Sequence, residues 1–71
     1  MEAPTIHFTV NGEGRTGAAG MTLRELLREL DLGRARVAIE HNQDVVRSGD
    51  WDDRVISGGD RIEIVSFVGG G

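Results

Sequence analysis

The chain contains no cysteine, so disulfides, thiolate metal ligands and cysteine nucleophiles are all excluded. It has no apolar run near the roughly 20 residues that span a bilayer, and its start lacks the cationic and apolar regions of a signal peptide. We therefore expect a cytoplasmic protein with no membrane contact. With a net charge of −4, the chain also lacks the clustered positive charge that binds nucleic-acid phosphates, so we expect its partners to be proteins.

The length of 71 residues allows one domain with little room for an internal active site. We place this domain over residues 1–68 and a flexible glycine tail over residues 69–71. His7 and His41 stand alone without the ligand spacing of a zinc site, so we interpret them as turn or surface residues. Nothing in the sequence assembles a catalytic set, and we expect a carrier or binding protein that holds no metal or cofactor of its own.

The N-terminal residues are predicted to form a hairpin. Apolar and polar side chains alternate from Thr5 to Val10, which is typical of a half-buried strand. Asn11 and Gly12 follow, and this dipeptide tolerates the positive φ values of a tight turn. We therefore expect a short second strand over about Arg15 to Ala19.

One amphipathic helix is predicted after the hairpin, over about Thr22 to Leu30. Thr22 and Glu25 have the spacing of a capping box, which satisfies two backbone donors at a helix start. Gly33 stands where a left-handed C-terminal cap is expected. Four leucines recur at helical spacing and predict one buried face: Leu23, Leu26, Leu27 and Leu30.

The second half of the chain is predicted to add two strands and a short partner strand. Alternation over Arg36 to His41 indicates a strand, and the Asn42 to Asp44 stretch indicates a turn before Val45 and Val46. The polar segment from Ser48 to Ser57 is expected to be irregular and held to the core by three apolar residues, Trp51, Val55 and Ile56. The last strand is predicted over Arg61 to Val68.

This order of elements predicts an α+β fold with a mixed sheet of four to five strands and one main helix packed on one face. If the last strand lies beside the first and parallel to it, the helix belongs to the right-handed crossover between them. That arrangement is the β-grasp, or ubiquitin-like, architecture.

The glycine tail is the most informative feature of the sequence. Gly69, Gly70 and Gly71 follow the last predicted strand, and without a Cβ they fit a channel too narrow for other residues. Extended, three residues reach about 10 Å beyond the sheet. We predict that the tail delivers the Gly71 carboxylate to a partner's active site; a frayed terminus is the alternative.

A carboxylate is a poor electrophile, so the Gly71 carboxylate has to be activated, for instance as an acyl-adenylate made by an ATP-dependent partner. A sulfur nucleophile would then convert it to a thiocarboxylate. All eight cations of the chain are arginine. Arginine stays protonated, whereas a lysine amine could attack an activated acyl group, so the lack of lysine suits this chemistry. A compositional preference for arginine is the alternative.

The last strand also indicates a docking surface. Alternation places Ile62 and Ile64 on one face and leaves Val65 and Phe67 on the other, close to the tail. Together with Val68, these two residues are our candidates for docking an activating enzyme. Cover from the segment around Trp51 is the alternative.

Several runs of the sequence match the pattern of one known family. They are Thr22-Leu23-Arg24-Glu25-Leu26-Leu27, Val37-Ala38-Ile39-Glu40-His41-Asn42, Trp51 in its polar loop, Gly59-Asp60-Arg61-Ile62-Glu63-Ile64 and the terminal Gly70-Gly71. Together these runs resemble the ThiS family of sulfur carrier proteins in thiamine biosynthesis. The resemblance covers nearly the whole chain, although Arg47 stands where members often carry proline.

The resemblance implies a ubiquitin-like fold and adenylation of Gly71 by an ATP-dependent adenylyltransferase of the ubiquitin-activating type. It also implies a sulfur donor such as a cysteine desulfurase, and delivery of the sulfur to thiazole synthase. ATP would be used by the activating partner. Three alternatives stay open: the small subunit of molybdopterin synthase, a sulfur carrier of another pathway, and a ubiquitin-like modifier that forms isopeptide bonds.

Overall fold

The computed structural model describes residues 3–67, which form a five-stranded sheet in the order β2-β1-β5-β3-β4. β1 runs parallel to β5, and the other neighbouring strands are antiparallel. This confirms the predicted α+β, β-grasp arrangement, in which the last strand lies beside the first. The elements are β1 (Thr5–Val10), β2 (Glu13–Ala18), α1 (Leu23–Glu29), β3 (Val37–His41), β4 (Asp44–Val46), a 3-10 helix (Ser48–Asp50) and β5 (Arg61–Ser66).

The core lies between α1 and one face of the sheet, which we call the inner face; the opposite face is the outer face. Leucines of the predicted helical stripe are fully buried, as the pattern predicts, whereas Leu30 is partly buried. Burial of one such side chain contributes about 1.5–3 kcal/mol, so this layer supplies much of the stability of a small domain. The largest fully buried side chains are Leu23, Leu26, Leu27, Ile39, Ile56 and Ile62.

Both helix ends follow from local chemistry, but one prediction about them is wrong. The predicted capping box is present: Glu25 N–H donates to Thr22 Oγ1 at 3.2 Å, and Thr22 N–H donates to Glu25 Oε1 at 2.9 Å. The left-handed residue after the helix is Asp31, with φ 61°, and not Gly33. The chain turns three residues after Arg28, whose carbonyl oxygen accepts from Asp31 N–H, so the left-handed turn precedes the glycine.

The irregular segment after β4 is held against the start of α1. Trp51 and Ile56 are buried as predicted, but Val55 is 48% exposed and does not pin the segment to the core. Val55 instead forms an isolated β-bridge with Thr22 through its backbone, which leaves its side chain outside. Trp51 Nε1–H donates to the carbonyl oxygen of Val46 at 2.9 Å, so the indole is both packed and hydrogen-bonded.

Tight turns join two of the three antiparallel pairs, β1–β2 and β3–β4. Asn11 and Gly12 have φ 51° and 83°, and Asn42 and Gln43 have φ 52° and 73°, the paired positive values of a type I′ hairpin. The second strand therefore starts at Glu13 rather than near Arg15. Among residues 3–67, no helix is long and apolar enough to cross a membrane.

Candidate functional site

β5 is the strand that leads toward the predicted site. It ends at Ser66, earlier than the predicted Val68, and Phe67 N–H still donates to the carbonyl oxygen of Arg36 at 2.8 Å. The chain is thus fixed to the sheet up to Phe67. The remaining predicted site residues lie outside the described range, and their roles stay predictions: Val68, Gly69, Gly70 and Gly71.

The outer face at the end of β5 carries exposed apolar side chains. Val65 is 58% exposed and Phe67 56% exposed, on the face the alternation predicts. The segment around Trp51 packs at the start of α1, and none of residues 3–67 buries these two side chains. Val45 on β4 is also exposed, but Glu40 and Glu63 lie between it and Val65 in the register of the sheet.

Asn11 holds the middle of β5 in a way that the sequence did not indicate. β1 pairs with β5 only at Thr9 and Val10, and then turns away. The Asn11 side chain continues the pairing: Ile64 N–H donates to its Oδ1 at 2.8 Å, and its Nδ2–H donates to the Ile64 carbonyl oxygen at 3.1 Å. An Asn-Gly pair signals a turn, and no sequence pattern shows that its amide reaches a residue so distant in the chain.

His41 holds the start of β5, and its predicted place at a turn or on the surface is wrong. Its side chain points to the inner face and is 5% exposed. Arg54 Nε–H donates to His41 Nδ1 at 2.9 Å, which makes Nδ1 an acceptor and leaves the proton on Nε2. Nε2–H then donates to Asp60 Oδ2 at 2.6 Å. Both ring nitrogens are thus engaged in hydrogen bonds, and the ring links Arg54 to Asp60.

Asp60 is the acceptor at the centre of this network. Ser57 N–H donates to Oδ2 at 2.7 Å, and Asn42 Nδ2–H donates to Oδ1 at 3.1 Å. Burial raises the pKa of the Asp60 carboxyl, but the hydrogen bonds from Ser57, His41 and Asn42 together outweigh it, so the net pKa is lowered from the usual 3.8. The carboxylate therefore joins the turn before β5 to the turn after β3.

No other part of the described chain offers chemistry of its own. Among residues 3–67, no group of three or more His, Asp or Glu side chains could hold a metal ion. A depression of about 610 Å³ at the β1–β2 hairpin and the start of β5 is open to solvent. The residues that the structure brings together, Asn11, His41 and Asp60, hold β5 in place, and β5 leads to the glycine end of the chain.

Comparison with known proteins identifies the same fold and family. The ThiS family model matches residues 8–71. The sulfur carrier protein ThiS of Escherichia coli is 34% identical over 66 residues, which cover 93% of this chain and all of that protein. A crystal structure of the thiamine biosynthesis protein ThiS from Geobacter metallireducens has a TM-score of 0.78 and 35% identity, over 93% of this chain and 100% of the other.

Two thiazole synthases also contain a similar segment. Those of Paramagnetospirillum magneticum and Magnetococcus marinus are 40% and 42% identical over 66 residues. The chain spans only 20% of the length of either synthase. Since the family model and the E. coli relative cover nearly all of it, this chain belongs to the ThiS family.

Proposed function

We propose that this chain is a sulfur carrier for thiamine biosynthesis and that the Gly71 carboxylate is the group that carries sulfur. Family membership is the observation that supports this most directly. The fold adds a physical reason, because β5 is held by the Asn11 side chain on the β1 side and by β3 on the other, while Asp60 joins its start to the turn after β3. A rigid base lets a short tail deliver its end to a defined place.

The chemistry uses two steps, both catalysed by partners. A Gly71 carboxylate oxygen attacks the α-phosphorus of ATP, pyrophosphate leaves, and an acyl-adenylate forms. A sulfide-level nucleophile then attacks the acyl carbon, the bond to AMP breaks, and the thiocarboxylate remains. This chain contributes the acyl group and no catalytic side chain, so it acts as a co-substrate and not as an enzyme.

The partners follow from these steps. An adenylyltransferase of the ubiquitin-activating type would bind ATP and the tail, and a donor such as a cysteine desulfurase would supply the sulfur as a persulfide. Attack by the persulfide releases AMP and forms an acyl disulfide, and a thiol reductant then breaks its S–S bond and leaves the thiocarboxylate. Thiazole synthase would accept the sulfur. The similar segment within two thiazole synthases supports this acceptor, since domains that share a chain often share a reaction sequence.

Intact-mass analysis tests the proposal. The chain is incubated with the activating enzyme of its own organism, ATP and sulfide, and we expect a mass gain that corresponds to replacement of one oxygen by sulfur. A chain shortened by Gly70 and Gly71 should show no gain. An unmodified full-length chain after pyrophosphate-forming turnover would overturn the proposal, and a ladder of protein conjugates would favour the modifier alternative.

A pair of aspartate variants tests the docking surface of Val65, Phe67 and Val68. Val65→Asp places a charge near the end of β5, before the glycine tail. It should slow thiocarboxylate formation by about tenfold or more, because docking would bury the new carboxylate. Val45→Asp is the matched control on the same outer face, and its side chain is 74% exposed. Equal rates for Val65→Asp and the unmodified chain would remove Val65 from the docking surface.

A further inference from the structure

The edge of β5 that faces β1 is open beyond Ile64. The strand register with β1 ends at Val10, the Asn11 N–H still donates to the Ile62 carbonyl oxygen at 2.8 Å, and the Asn11 side chain extends the pairing to Ile64. Ser66 is the next residue of β5 whose backbone points to this edge. Among residues 3–67, neither the N–H nor the carbonyl oxygen of Ser66 has a backbone partner there.

The orientation of Ser66 follows from the register with β3. The backbone bonds from Asn42 N–H to Arg61 and from Phe67 N–H to Arg36 show that odd-numbered residues of β5 bond toward β3. Ser66 lies opposite Val37 in a position between those bonds, so its polar groups point away from β3. Its N–H therefore takes no part in the backbone pairing of residues 3–67.

A groove of about 320 Å³ runs under this open edge on the inner face. Its walls are the end of the β1–β2 hairpin, the residues after α1 and β5 itself. A strand laid along the line that β1 vacates would place alternate side chains over this groove. Its lining residues include Val10, Arg15, Leu30, Leu32, Ile64 and Ser66.

We propose that an extended segment of the adenylating partner adds to the sheet at Ser66, accepts from its N–H and donates to its carbonyl oxygen, and places an aliphatic side chain over Leu30 and Leu32. This rests on the proposed function. It assigns a second binding element that acts through main-chain bonds and is distinct from the exposed side chains of the outer face.

The position of the tail is the reason to assign this edge to the partner that activates it. Gly71 is five residues beyond Ser66, a reach of at most about 18 Å. A protein that holds the Gly71 carboxylate in its active site must therefore lie within that distance of the open edge. A second copy of this chain is a weaker occupant, because two such edges would meet through one described residue each and bury far less than the roughly 1,200 Å² of a stable interface.

Amide hydrogen exchange at Ser66 tests the added strand on the unaltered chain. In the free protein we expect fast exchange at Ser66 and slower exchange at Val65 and Phe67, whose N–H groups point to the β3 side. In the complex with the activating enzyme and ATP, Ser66 exchange should slow by at least about tenfold, the effect of one net hydrogen bond. If Ser66 exchange in the free protein becomes slower as the protein concentration is raised, the edge is covered by a second copy of the chain and the assignment is overturned.

Proline substitution tests the same bond by function. Ser66→Pro removes the free N–H without touching the β3 ladder, so the thermal midpoint should stay near that of the unmodified chain while kcat/KM for thiocarboxylate formation falls about tenfold. Val45→Pro is the control, because the Val45 N–H also points to a free edge, that of β4.

Failure of this inference differs from failure of the proposed function. Thiocarboxylate formation with unchanged Ser66 exchange in the complex, or full activity in a folded Ser66→Pro chain, overturns the added strand and leaves the carrier function. If Ser66→Pro does not fold, the exchange measurement decides alone. No thiocarboxylate on the unmodified chain overturns both.

Discussion

At the scale of single residues, the side chain of Asn11 takes the place of a β1 residue in the pairing with β5. Its backbone makes a positive-φ turn while its amide pairs with both polar groups of Ile64. Asn11→Gly keeps the turn conformation and removes both side-chain bonds, so we expect the free energy of unfolding to fall by about 1–3 kcal/mol. Urea denaturation followed by Trp51 fluorescence measures this.

The control for Asn11 is another residue with positive φ. Gln43 has φ 73° and no side-chain hydrogen bond to residues 3–67, so Gln43→Gly should relieve strain and leave stability equal or higher. If both glycine variants unfold at the same urea concentration as the unmodified chain, the Asn11 amide contributes nothing to the fold.

Asp60 gives the fold a dependence on acid. Its pKa in the folded chain is lowered below the 3.8 of a free aspartate, so its stabilising contribution is present above about pH 4. It is lost as the pH falls through the folded-state pKa, because the carboxylate then takes up a proton and can no longer accept all its hydrogen bonds.

Thermal unfolding between pH 6 and pH 2 checks this dependence. We expect Asp60→Asn to have a lower midpoint than the unmodified chain at pH 6, and a smaller further fall in acid. Asp53→Asn, at an exposed position without a side-chain bond to residues 3–67, should keep the acid dependence of the unmodified chain. A parallel fall in the Asp60→Asn chain would contradict the role of this carboxylate.

At the scale of elements, the join between β4 and the 3-10 helix has room for a stabilising change. Arg47 has φ −69° and ψ 149°, the conformation that a proline ring fixes. No backbone bond to its N–H forms among residues 3–67, and Val46 before it is already extended. Arg47→Pro should therefore raise the free energy of unfolding by about 0.4–1 kcal/mol, because it restricts the unfolded chain.

Equilibrium unfolding of Arg47→Pro and Arg47→Ala separates that cause from the loss of a charge. The alanine variant removes the guanidinium without restricting φ, so its stability should stay within about 0.5 kcal/mol of the unmodified chain. An equal gain in both variants would assign the effect to charge, and a loss in the proline variant alone would show that the N–H is needed.

Elements whose signals are local were predictable from the sequence. The capping box at Thr22 and Glu25 and the turn at Asn11 and Gly12 form from neighbours in the chain, and both are present. The exposure of Val55 and the burial of His41 depend on contacts with distant segments, about which local patterns contain no information, so those two predictions were wrong. The prediction of Gly33 as the left-handed cap was wrong for a local reason, because Asp31 already adopts that conformation.

At the scale of the whole molecule, the β-grasp architecture could be predicted because one helix between two hairpins leaves few ways to cover one sheet face. The outer-face position of Val65 and Phe67 followed from alternation alone. The supports of β5 did not follow, since Asn11, His41 and Asp60 meet it only through the register of the finished sheet. The predicted glycine site lies beyond the described residues.

The composition of the whole chain makes a last prediction, since an activated Gly71 would meet no lysine amine anywhere in it. Arg36 pairs with Phe67 at the base of the tail, so Arg36→Lys places an amine within reach of the tail end. During activation with ATP but no sulfide, we expect that amine to attack the adenylate and release AMP. The product is an internal amide, lighter by one water molecule in intact-mass analysis.

Arg28→Lys, on the exposed side of α1, is the control. Equal amounts of this product from both variants, or none from either, would show that the lack of lysine reflects composition and not the chemistry of the tail.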